Sequence, residues 1–98
     1  MSCFLNGYTT ASDALGPHAD DDKGINHERP IAVVTVGGGR EIECIDLFDR
    51  SKKARQFLEP GSLFLMHAGM QSTHLHRIPK AGFVVKKPRI SLTYRALL

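Results

Sequence analysis

Residues 31 to 36, Ile-Ala-Val-Val-Thr-Val, form a β-branched apolar run that three consecutive glycines, Gly37 to Gly39, bring to a stop. β-Branched side chains lose rotamer freedom in a helix and pack well on a pleated surface, so the run predicts a buried strand. Similar segments recur along the chain. Phe4 to Thr10 predicts a strand, and Ala14-Leu15 begins a second, which Gly16-Pro17 leads into the acidic run Asp20, Asp21, Asp22, expected to be a loop. Glu41 to Leu47 alternates and is expected to pair with the 31–36 run as a hairpin. Asp49 to Arg55 is polar and charged and is expected to be a turn, although the spacing of Leu47, Phe48, Ala54, Phe57 and Leu58 also suits a short helix. Pro60-Gly61 turns the chain into Leu63 to Met66; Thr73 to Ile78 and Arg89 to Ala96 predict the last strands. Successive strands joined by short turns imply an all-β sandwich or barrel. A jelly roll suits them best, because its two sheets enclose an interior that can hold a small ligand.

The 98 residues are read as one domain, 1–98, with no internal repeat, low-complexity tract or linker. A chain this short buries only ~60–65% of its unfolded surface. A hydrophobic content of 42% argues against disorder, and the formal charge of +3 is compatible with an anionic partner while falling short of a dense basic stripe. Cys3 and Cys44 lack CxxC spacing and predict neither a disulfide framework nor a zinc knuckle. A reducing compartment, cytoplasmic or nuclear, is expected. No apolar run reaches the ~18 residues that cross a bilayer, so no membrane association is expected.

The chemistry-bearing feature is His18-Ala19-Asp20. At the end of a strand, side chains two residues apart turn to the same face, so this pair can form two corners of a metal site. A third corner must come from His27, His67, His74 or His76. Two neutral imidazoles and one carboxylate leave three positions open, the donor set of non-haem iron(II) oxygenases. HxD alone is a common chance pattern, and Met66, a soft thioether, reads as core packing rather than a ligand.

Longer segments sharpen this. NGYTTASDALGPHADDD, from Asn6 to Asp22, resembles the NxY strand, spaced aspartate and HxDD loop of the AlkB family of iron(II)- and 2-oxoglutarate-dependent dioxygenases. LEPGSLFLMHAGMQSTHLHRIPK is similar to that family's L-x-x-G-S-L stretch, with its methionine, glutamine and final H-R-hydrophobic-P-K. PRISLTYR resembles the family's RxNxxxR strand, with Ser91 where asparagine is commoner. The three matches occur in the family's order and span Asn6 to Arg95.

The resemblance implies a double-stranded β-helix core in which His18, Asp20 and His76 hold Fe(II). His76 is chosen over His74 because only then does Arg-Ile-Pro-Lys follow in register. His67 and His27 are read as loop or surface histidines. The resemblance further implies that 2-oxoglutarate and O2 occupy the open positions. Arg89 would grip the distal carboxylate of 2-oxoglutarate, Asn6 and Tyr8 would add hydrogen bonds to it, and Ser91 and Arg95 would serve its metal-facing end. Asp22 would contact substrate, Asp21 is structural or exposed, and Arg40 is read as a strand-edge charge.

The activity implied is hydroxylation of an N-methyl group on alkylated DNA or RNA, with release of formaldehyde, succinate and CO2. The alternatives are a hydroxylase of the same class acting on a protein or small molecule, and a non-catalytic metal-binding module. Family members carry outer strands and a nucleic-acid-gripping lid before the NxY strand. This chain starts almost on that strand, so it is expected to be truncated at the N-terminus: a fragment, an alternative start, or one domain of a larger polyprotein such as a viral replicase.

Overall fold

The computed structural model describes residues 2–10, 12–20, 24–82 and 87–97. Its strands are β1 (Ser2–Tyr8), β2 (Leu15–His18), β3 (Ile31–Gly37), β4 (Arg40–Asp46), β5 (Lys53–Leu58), β6 (Leu63–Met66), β7 (His74–Ile78) and β8 (Arg89–Arg95), with a four-residue helix, α1 (Met70–Thr73), before β7. They form two antiparallel four-stranded sheets, ordered β1-β8-β3-β6 and β2-β7-β4-β5. The interleaving of early and late strands in both sheets is a jelly-roll arrangement, as the strand pattern predicts.

Pairing departs from expectation at the triple glycine. β3 and β4 are not a hairpin: β3 lies between β6 and β8, and β4 lies between β5 and β7 in the other sheet. The glycines make a corner between sheets. Gly37 has φ 84°, and side chains at Gly37 or Gly38 would collide with the carbonyl oxygens of Pro88 and Lys87, where Gly38 N–H also donates to Pro88 O at 3.0 Å. Glycine is needed here for close backbone approach as much as for turning.

Two further expectations are corrected. The segment expected to be a turn, Asp49 to Arg55, contains the start of β5, an edge strand of which Leu58 alone is buried, so it carries no apolar alternation to read. β2 runs through Gly16-Pro17 instead of ending there; it is also an edge strand, where a proline removes no ladder bond. At Pro60-Gly61 the expected tight turn forms, with Gly61 at φ 80° and Ser62 N–H donating to Glu59 O at 3.0 Å.

The core lies between the sheets. Tyr8, Ile42, Leu58 and Ile78 make one buried cluster and Ile31, Val33 and Met66 another, with Phe64 against both. On β8 the inward residues are polar: Arg89, Ser91, Thr93 and Arg95 face the interior cavity. The intervening residues of the same sheet face outward and are apolar, so the register row Leu5–Leu92–Val34–Leu63 crosses its outer surface, with Leu5 and Leu63 exposed. Inverted polarity of this kind marks an interior shaped to bind something polar.

Candidate metal centre

β2 and β7 pair so that His18 stands opposite His76, with a register irregularity between Leu15 and His18. Such an irregularity re-aims a side chain at a strand end. The imidazole centroids lie 4.2 Å apart, and one donor atom from each of His18, Asp20 and His76 falls within 4.8 Å of the others, a group that can hold a metal ion. His18 Nδ1 lies 2.9 Å from Gly16 O. A carbonyl only accepts, so Nδ1 carries the proton and Nε2 keeps its lone pair. Burial holds His76 down to about 4, with the nearby His18 and Arg95 adding to the effect and Asp20 opposing it. At neutral pH His76 is therefore an uncharged donor. The donor set, two imidazoles and a carboxylate on one face, fits iron(II).

The cluster opens on a cavity of about 250 Å³ between the sheets. Adjacent strands bring the two cosubstrate motifs together: Asn6 is in register with Ser91, and Tyr8 with Arg89. All four, with Arg95, line the cavity. Arg89 is 2% exposed; its Nη2 donates to Thr35 Oγ1 at 3.1 Å, its guanidinium lies 5.2 Å from the centre of the Tyr8 ring, and its Nε has no hydrogen-bond partner among the described residues. Desolvation lowers its pKa and raises that of Tyr8, whose hydroxyl stays protonated. Arg95 packs over Phe4 at 4.6 Å.

Arg40, expected to be a strand-edge charge, is 1% exposed. It lies 5.3 Å from the centre of the Tyr8 ring and donates to Thr10 O, Asp13 O and Pro79 O, tying the β1–β2 loop to the end of β7. The same loop is held from within by Asp13, whose Oδ2 accepts from Thr9 and Thr10 N–H and whose pKa is lowered by those bonds. Two buried guanidiniums, Arg40 and Arg89, thus pack near the Tyr8 ring with no carboxylate within ion-pair distance among the described residues. Sequence reasoning missed Arg40 because its partners are distant backbone carbonyls, which leave no local pattern.

Gln71, quoted above only as part of a pattern, is buried and accepts from Asp20 N–H at 2.8 Å. His74, the competing histidine, bonds Thr73 Oγ1 at 2.8 Å and sits opposite Asp46. His27 and His67 are exposed. Asp21 and Asp22 lie outside the described residues.

The sequence matches the 2OG-Fe(II) oxygenase superfamily over residues 1–95. The chain belongs to that superfamily. Within it the chain is AlkB-like: it is 30% identical over 102 residues to mouse (Mus musculus) DNA oxidative demethylase ALKBH2, covering 97% of this chain and 42% of the relative. The human (Homo sapiens) protein of the same name is also 30% identical, with 39% of it covered. The solved structure of OsALKBH1 superposes with a TM-score of 0.75 at 24% identity, over 96% of this chain and 47% of that one, a likeness of fold. This 2OG-Fe(II) oxygenase chain therefore spans less than half the length of the relatives it matches. Among the described residues no helix is long and apolar enough to cross a membrane.

Proposed function

We propose that this chain is the metal- and cosubstrate-binding core of an oxidative demethylase that acts on alkylated nucleic acid. One observation supports the reading: a single cavity presents both the His18–Asp20–His76 cluster and a buried Arg89 that has no carboxylate within ion-pair distance among the described residues. A buried unpaired guanidinium costs several kcal/mol in desolvation, which an incoming carboxylate offsets. 2-Oxoglutarate, a dicarboxylate, would supply that carboxylate and still have groups to offer a metal held by His18, Asp20 and His76.

In this reading His18, Asp20 and His76 hold iron(II), which when bound supplies oxygen-activating chemistry that no side chain provides. The protein's part is placement. Arg89 offers a planar fork to the distal carboxylate, and its Thr35 contact fixes the fork's orientation. Tyr8, kept protonated by burial, and Asn6 donate hydrogen bonds along the cosubstrate. Ser91 and Arg95 serve its metal-facing end, and Asp22 is our candidate for contact with the target base. With O2 as the oxidant, one oxygen atom would enter the N-methyl carbon, giving a hemiaminal that sheds formaldehyde, and the other would enter succinate as 2-oxoglutarate loses CO2.

The nucleic-acid substrate is supported by the similarity to ALKBH2 proteins named as DNA oxidative demethylases. Incubation with iron(II), 2-oxoglutarate and N-methylated DNA or RNA oligonucleotides is expected to release formaldehyde and succinate in equal amounts. Succinate formed without formaldehyde from any methylated oligonucleotide would contradict the substrate class and favour hydroxylation of a protein or small molecule.

A further inference from the structure

We infer that Gln71 is a positioning residue for the metal centre, acting through the backbone of Asp20; the inference rests on the metal-site reading above. Asp20 lies two residues past the end of β2, outside any strand, so no sheet ladder fixes its main chain. Its N–H is instead taken by the Gln71 side-chain oxygen at 2.8 Å, a contact spanning 51 residues of sequence. Gln71 is only 8% exposed, and its Nε2 donates to Met66 Sδ at 3.5 Å, anchoring the carboxamide to the core. Gln71 sits on α1, directly before β7, so the segment that leads into the strand of His76 carries the group that holds Asp20.

The geometry makes a closed chain of constraints: β2 sets His18, β7 sets His76, and Gln71 ties the third donor to the same framework. Asp20's side chain is 13% exposed, so loss of the tie would leave a carboxylate free to swing toward solvent, with a part-buried N–H unpaired. Groups that orient metal ligands in this way typically carry 10–100-fold of metal affinity. What matters at position 71 is the acceptor oxygen at the end of a two-methylene stem. Glutamate keeps it, asparagine withdraws it by one methylene, and leucine removes it.

The test is titration of the metal-free protein with cobalt(II) alone, read by its visible bands against a competing chelator, for wild type, Gln71→Leu, Gln71→Asn and Gln71→Glu. Affinity is expected to fall about 10–100-fold in Gln71→Leu and Gln71→Asn and to stay within about threefold of wild type, or tighten, in Gln71→Glu. A folded Gln71→Leu or Gln71→Asn with wild-type affinity, or a Gln71→Glu as weak as Gln71→Asn, overturns the inference. If Gln71→Leu fails to fold, the Asn and Glu pair still decides. Absence of cobalt uptake by folded wild type would instead sink the metal-site reading itself.

Discussion

Arg89, buried to 2% exposure in the cavity wall, is held by Thr35 and packs against the Tyr8 ring, and in the proposed site it would also meet a cosubstrate carboxylate. Lysine offers a point charge without the planar fork. Arg89→Lys is therefore expected to weaken 2-oxoglutarate binding about tenfold or more, a loss of ~1.4 kcal/mol or greater, while leaving cobalt(II) affinity unchanged. Calorimetric titration of 2-oxoglutarate into cobalt-loaded protein measures this; equal affinity in the variant would mean that Arg89 does not hold the cosubstrate. Much of the site is legible in the sequence at this scale because metal ligands and a carboxylate clamp need particular side chains at particular spacings. His18 and Asp20 stand two residues apart and read as a pair, but only the longer motif marks that pair as metal ligands and separates His76 from His74, which shares its strand face. Arg40 and Gln71 were not legible as working parts. Each acts on backbone groups 27 to 51 residues away, and a side chain that bonds distant main chain leaves no spacing rule to detect.

Among the elements, β4 joins edge and interior of its sheet through Glu43, whose side chain is 5% exposed and accepts from Arg55 Nε on β5 and Arg77 Nε on β7, each at 2.7 Å. These bonds hold its carboxyl below the usual value of 4.5. A carboxyl with a depressed folded pKa contributes stability that is present above its unfolded pKa and is lost as pH falls through the folded one. Replacing Glu43 by Gln is expected to cost about 1–2 kcal/mol at neutral pH, and the gap between the two proteins should close progressively below about pH 4.5. Urea midpoints over that range test it; a gap that persists unchanged into strong acid would contradict the ion-pair account. Strand positions were largely legible from apolar runs and turn residues, but their pairing was not. Ile31 to Val36 followed by glycines looks like half of a hairpin, yet glycines tolerate a corner between sheets as well as a tight turn, and only the approach of Lys87 and Pro88 distinguishes the two. β5 escaped notice because an exposed edge strand has no buried face to write an alternation.

Across the molecule, polarity is arranged inside out on one sheet: β1 and β8 turn Asn6, Tyr8, Arg89, Ser91 and Arg95 inward, while Leu5, Leu92, Val34 and Leu63 cross the outer surface. A strand reading RISLTYR does not say which of its faces is the core, since charged residues normally face solvent. Here the arginines are buried and line an interior cavity, which the opposite sheet closes with His18 and His76. The central claim is that the two sheets together build one site for iron(II) and 2-oxoglutarate. Anaerobic titration with both, followed by visible absorbance, tests it directly. The account predicts a metal-to-ligand charge-transfer band in the wild-type chain that disappears in His76→Ala; no band in folded wild-type protein, or an undiminished band in His76→Ala, would contradict it.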